Sequence, residues 1–243
     1  MLLSTLSRYS DNPRMAIIYL LLMIPSLLIA LTVHEYCHGK MALALGDKTA
    51  LLSGRLSLNP IHHLDPVGAL MLLLFGFGFA KPVPVNMRNV TKVNYKLGTT
   101  LIALAGPLSN FLLALIGVLG LLITDTISLN VNGISVSLVI ALNLPLNFNL
   151  AIVCYNFFLY FALINIGLGI FNLIPVPPLD GSRIITVFLP PRAQIWFYKY
   201  ENIIQLILFA LLFMNILDSF LLGARNIVFD WMVKIVSLLP FIK

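Results

Sequence analysis

Three stretches of the chain are each about as long and as apolar as a bilayer requires: residues 15–45, 97–123 and 151–174. A helix needs roughly 20 apolar residues to cross the hydrocarbon core, and a lipid-exposed backbone must satisfy its own hydrogen bonds, so each run reads as a transmembrane α-helix. Only 10% of the residues are charged and 60% are hydrophobic. Soluble domains carry roughly a quarter charged residues, so lipid is the expected solvent and no sizeable soluble domain fits. The net charge of +6 belongs to basic loops facing an anionic membrane surface; no Gly-rich phosphate loop or basic-aromatic groove supports nucleic-acid binding. Cys37 and Cys154 lie in apolar runs and read as small hydrophobes, with no disulfide framework. No cleavable secretory signal is expected, because the first apolar run contains residues that look functional.

The rest of the chain follows from these spans. Residues 1–14 form a polar segment, and the first apolar run reads as one long helix with Pro25 as the place where it can kink. A short apolar run at 67–80 is too short to cross and suits a re-entrant segment, about 67–86. A fourth span is expected over 203–222, and a helix with one apolar face (Ile227/Val228, Trp231/Met232, Ile235/Val236) over 224–243. The expected fold is an all-α polytopic membrane protein. It has a three-helix core within 15–190, a re-entrant or hairpin segment, and one or two further transmembrane or interfacial helices in 191–243.

Charge bias orients it. Lys40, Lys48 and Arg55, then Lys81, Arg88, Lys92 and Lys96, mark two cytoplasmic loops, so the segment between them cannot cross. Residues 124–150 contain no Lys or Arg and should lie outside; Arg183, Arg192 and Lys199 return the chain to the cytoplasm. The N-terminus then lies outside.

Within the first span, His34-Glu35-Tyr36-Cys37-His38 fits H-E-x-x-H. On a helix, positions i and i+4 share one face at roughly 6 Å between Cβ atoms, so the two imidazoles can hold one zinc ion. Glu35 lies beside them, within reach of a water whose pKa zinc lowers to about 7. Ionisable groups at that depth cost at least ~2.5 kcal/mol each on insertion scales and therefore face a cavity or serve a function. A catalytic zinc needs a third protein ligand, and His62, His63, Asp65 and Asp180 are the candidates. Asp180 suits best, because proline-broken backbone at membrane depth belongs where it lines a cavity, and Pro177-Pro178-Leu179 precedes it. Asn110, in Gly106-Pro107-Leu108-Ser109-Asn110, is a candidate hydrogen-bond donor to substrate backbone or to a developing oxyanion.

In this order, His34-Glu35-x-x-His38, Gly106-Pro107-x-x-Asn110 and Asn172-Leu-Ile-Pro175 leading to Leu179-Asp180-Gly181 resemble the site-2 protease family of intramembrane zinc metalloproteases. Gly54-Arg-Leu-Ser-Leu-Asn-Pro60, His63-Leu-Asp-Pro66 and Ala80-Lys-Pro-Val-Pro-Val-Asn86 resemble its compact prokaryotic branch without PDZ or CBS domains. The resemblance covers about residues 15–190. It implies one zinc per chain bound by His34, His38 and Asp180, with Glu35 as general base. It also implies Asn110 assisting substrate or transition state, transmembrane protein substrates, and a site reached from the cytoplasmic side of a cell membrane. Extended substrate could pair with the segment near 67–86. A membrane metal transporter using the same His and Asp residues is the alternative. It predicts repeat-related broken helices, and no repeat is visible in the sequence. Axial heme ligation by His34 and His38 together fails, since two imidazoles on one helix face cannot bind opposite sides of one heme. The sequence does not name a substrate or an oligomeric state.

Overall fold

The computed structural model describes residues 13–75, 80–132 and 150–239. Its helices are α1 (Pro13–Ala44), α2 (Thr49–Leu52), α3 (Pro66–Phe75), α4 (Tyr95–Asn132), α5 (Leu150–Asn172), α6 (Asp180–Thr186), α7 (Pro191–Lys199), α8 (Glu201–Phe213) and α9 (Asp218–Val236). Among the described residues the only β pairing is an isolated antiparallel bridge between Leu64 and Ala80. Among the described residues, three helices are long and apolar enough to span a membrane, or four if the bent pair α7–α8 is one span. The protein is an all-α, multi-pass membrane protein.

The core is α1, α4 and α5 packed on one another, α4 against α5 most extensively. The periodicity of α4 shows why. Ala103, Asn110, Ala114, Val118 and Leu121 are buried, whereas Leu112, Ile116 and Ile127 are more than half exposed. An apolar stripe left outside a packed helix bundle is what lipid requires.

Several boundaries depart from the sequence expectation. The α4 helix continues to Asn132 instead of ending near 123. Thr124 and Thr126 return their hydroxyls to the carbonyls of Gly120 and Leu122 (2.7 and 2.9 Å), so these polar residues do not interrupt the helix. The α5 helix ends at Asn172, because Pro175, Pro177 and Pro178 supply no amide donors to continue it. The α1 helix, by contrast, is the one long helix expected, and runs through Pro25. The expected re-entrant segment is α3 followed by an extended stretch from Ala80 to Asn86; residues 76–79 lie outside the described part, as do 133–149 of the expected outer loop.

The expected fourth span over 203–222 is divided. The α8 helix stops at Phe213, the chain turns with Asn215 at φ 55, and α9 begins at Asp218. Asn is among the few non-glycine residues that tolerate that region. The paired apolar residues of α9 then split by face. Val228, Met232 and Val236 pack against α4 and α5, while Ile227, Trp231 and Ile235 point outward.

A buried carboxylate ties the end of α1 to the segment that follows α3. Asp47 is 0% exposed. It accepts from the Thr49 amide (3.0 Å) and hydroxyl (2.5 Å), the Asn86 amide (2.7 Å) and the Asn89 side chain (3.1 Å). Burial alone would raise its pKa. The hydrogen bonds from Thr49, Asn86 and Asn89 outweigh that effect and hold the carboxyl below the ordinary carboxylate range. A depressed folded-state pKa contributes stability that is present above the unfolded pKa and is lost as pH falls through the folded value. Asp47→Ala is therefore expected to destabilise the protein by roughly 1–3 kcal/mol at neutral pH. The difference from wild type should shrink below about pH 4, as read by chemical unfolding in detergent at pH 7 and pH 3.

Candidate metal centre

The α1 helix presents His34 and His38 on the face turned toward α4. Their rings meet edge to face with centroids 4.6 Å apart, and both residues are buried, at 6% and 8% exposure. Each Nδ1 is committed. His38 Nδ1 lies 2.7 Å from the Ile102 carbonyl, which can only accept, so this nitrogen carries the proton. His34 Nδ1 lies 2.6 Å from Asn110 Oδ1. The amide group of Asn110 donates to the Ala30 carbonyl (3.2 Å) and to Asn165 Oδ1 (2.9 Å), and Asn165 donates to the Phe161 carbonyl (2.8 Å). Asn110 Oδ1 is therefore the acceptor for His34, and one directed chain of hydrogen bonds joins α1, α4 and α5. Asn110 and Asn165 are both fully buried.

With both Nδ1 atoms protonated, both Nε2 atoms offer lone pairs. They face each other at 3.0 Å. Asp180 Oδ2 completes a triangle, 3.1 Å from His34 Nε2 and 3.2 Å from His38 Nε2. The proline turn brings this carboxylate back over the site, because the chain reverses directly at the end of α5. A Cβ on Gly181 would press on the carbonyls of Leu173 and Ile174, so only glycine permits that approach.

Two imidazole acceptors and a carboxylate aimed at one point repel one another unless a cation sits between them. The donor set also has the right chemistry and spacing for zinc. With zinc–nitrogen bonds of about 2.0–2.1 Å, a tetrahedral site separates its ligand atoms by about 3.3 Å. These separations are within a few tenths of an ångström of that. The outer hydrogen bonds that the two Nδ1–H groups donate to the Ile102 carbonyl and Asn110 Oδ1 are the usual device for fixing ligand tautomer and orientation.

Gly106 lets α4 come this close. A Cβ there would sit 2.6 Å from the His34 ring and closer still to His38. Neighbouring Pro107 removes one helical donor from the same turn.

Glu35, half-buried, projects beside the triangle, where its Oε2 accepts from the Val83 amide at 3.0 Å. A cleft of about 410 Å³ opens there; His34, Glu35, His38, Val83, Asn172 and Asp180 are among the residues lining it.

The structure therefore brings His34, His38 and Asp180 together. Among the described residues, these three form the one His/Cys/Asp/Glu group that can share a metal. The other ligand candidates are engaged elsewhere. His62 Nδ1 faces the Gly54 carbonyl (3.2 Å), His63 Nε2 faces the Ser57 carbonyl (2.6 Å), and Asp65 caps the amides of Val67 and Gly68. Asn110, the candidate donor to substrate or oxyanion, stands behind His34, with its amide group donating to the Ala30 carbonyl and to Asn165 Oδ1. Sequence reasoning missed Asn165, the Ile102 carbonyl and the Val83 amide. Asn165 had a signal, a lone amide in the middle of an apolar span. The two backbone groups had none, because every residue has them.

Comparison with known proteins agrees with this geometry. The family model described as "Peptidase family M50" matches residues 22–215. A Bacillus subtilis (strain 168) protein described as "Putative zinc metalloprotease YwhC" is 37% identical over 197 residues, covering 81% of this chain and 82% of that protein. No solved structure matches. A triangle of two histidines and an aspartate with zinc-ligand spacing, a glutamate beside it, and a family match running from within α1 past α8 have one joint meaning: the chain belongs to peptidase family M50, the site-2 protease family, and is a zinc metalloprotease.

Proposed function

We propose that this protein hydrolyses peptide bonds in or beside the transmembrane segments of other membrane proteins, with Glu35 as general base. One observation carries the reading: the His34–His38–Asp180 triangle and Glu35 share a cleft on a bundle whose long helices have the length and apolarity of membrane spans. The catalytic core is residues 15–190, with 191–243 as supporting transmembrane or interfacial helices.

His34, His38 and Asp180 would hold one zinc ion. When bound, zinc supplies Lewis acidity to a carbonyl and makes a water acidic enough to attack at neutral pH. Glu35 takes the proton that the attacking water loses as its oxygen bonds to the scissile carbon. It then returns that proton to the leaving nitrogen as the C–N bond breaks. Asn110 acts through His34: as a buried acceptor it keeps the Nδ1 proton in place and the Nε2 lone pair on the metal side. The substrate helix must unwind locally, since a helical peptide bond is shielded by its neighbours. Pro82, Val83, Val85 and Met87 of the basic segment Lys81–Lys96 line the cleft, which supports a site on the cytoplasmic side and an outer N-terminus.

The test is reconstitution of the purified protein in liposomes with candidate single-span substrates. Cleavage should occur with zinc, stop when a chelator has stripped the metal, and return on re-addition of zinc. Cleavage that survives complete removal of metal would overturn the reading.

A further inference from the structure

The extended stretch Lys81–Asn86 is fastened at both ends. The Lys81 amide donates to the His63 carbonyl (2.8 Å) and the Arg55 guanidinium donates to the Lys81 carbonyl (2.7 Å). At the far end the Asn86 amide donates to buried Asp47 (2.7 Å). Between these anchors Pro82 and Pro84 lock φ and have no N–H. The Val83 amide is thus the one donor between Lys81 and Val85. It meets Glu35 Oε2 at 3.0 Å, and Val83 itself is only 8% exposed.

We infer that Lys81–Asn86 is a rigid strap that positions the general base through the Val83 N–H. The inference rests on the reading of Glu35 as that base. A glutamate has three side-chain torsions to immobilise, at a cost in rotamer freedom. A charge-assisted hydrogen bond from a fixed amide confines it. With Oε2 held by Val83, Oε1 is the oxygen left for the attacking water. The flanking prolines remove neighbouring amides that would compete for the carboxylate and turn it away. Val83 is thereby a positioning residue, and its contribution comes from the backbone and not from the side chain.

That distinction makes the inference testable. Val83→Pro removes the amide hydrogen in a segment whose neighbours are already prolines, whereas Val83→Ala shortens the side chain and keeps the donor. Val83→Pro is expected to fall roughly 10–100-fold below Val83→Ala in kcat, as outer-sphere positioning groups typically do. KM should differ by less than about twofold, because substrate binding is not what is lost. Both variants should keep one zinc per chain, which also reports that they are folded.

A second measurement does not depend on activity. Flanked by two prolines, the Val83 amide can be followed alone in hydrogen exchange. In Glu35→Ala it should exchange at least about tenfold faster than in wild type, the factor that roughly 1.4 kcal/mol represents. Equal kcat in the two Val83 variants, or unchanged exchange of Val83 in Glu35→Ala, would overturn the strap. A Glu35→Gln enzyme that cleaves at wild-type rate would overturn the base reading instead, and the exchange experiment would still report whether the hydrogen bond exists.

Discussion

Glu35→Gln is expected to bind zinc at one ion per chain and to lose about 10²–10⁴-fold in kcat, the usual contribution of a positioned acid–base group. The substitution preserves shape. The amide oxygen of glutamine can still accept from Val83, and the triangle of His34, His38 and Asp180 does not include Glu35. What disappears is the capacity to take a proton, because a carboxamide is not a base near neutral pH. Metal analysis and cleavage should therefore separate cleanly in this variant: full zinc with little product. Wild-type cleavage by Glu35→Gln would move the base elsewhere in the cleft. Loss of zinc together with activity would make Glu35 part of the metal site, in addition to the His34–His38–Asp180 group.

Asp180→Ala is expected to lose both zinc and activity. Asp180 supplies one of three converging ligand atoms and the only formal negative charge among them. Without it, two neutral imidazoles face each other at 3.0 Å. Two neutral ligands with nothing to balance the ion hold zinc far more weakly than two with a carboxylate. The loss of affinity should exceed the roughly 10–100-fold that an outer-sphere residue costs. Zinc per chain, measured side by side in detergent-purified wild type and variant, checks this without any knowledge of substrate. About one ion in wild type and little in the variant is the expected pair of values. Full occupancy in Asp180→Ala would require a different third ligand. His62, His63 and Asp65 would have to leave the hydrogen bonds they make in the present structure to provide one.

These two variants probe opposite sides of one division in how the site is written. His34, Glu35 and His38 are adjacent in the chain, and helical geometry alone sets the two imidazoles on one face. That is local information, and periodicity and spacing are enough to read it. Asp180 lies 146 positions from His34, and the sequence favoured it among four candidates for the proline break before it, without placing it against the histidines. Only the packing of α5 and the reversal at Pro175–Gly181 bring it within 3.2 Å of both histidines. Asn110 divides differently. Its depth in the membrane was legible as a buried polar residue. Its partners were not, because an amide can bond substrate or protein equally well, and only the chain path sets Ala30, Asn165 and His34 around it.

The same division runs through the fold. Hydropathy and length by themselves determined that this chain crosses a membrane as helices, since apolar runs of about 20 residues suit helices and not the roughly 10-residue alternating strands of a barrel, the other structure that satisfies its backbone within lipid. They also determined that the H-E-x-x-H pair lies in such a helix. Tertiary structure decided where α4 ends, how 203–222 divides at Asn215, and which residue of each apolar pair in α9 faces protein. Lipid and protein interior are both apolar, so hydropathy cannot distinguish the two sides of a buried helix. It decided, too, that a backbone amide between two prolines meets Glu35, a choice made by chain path and invisible in residue type.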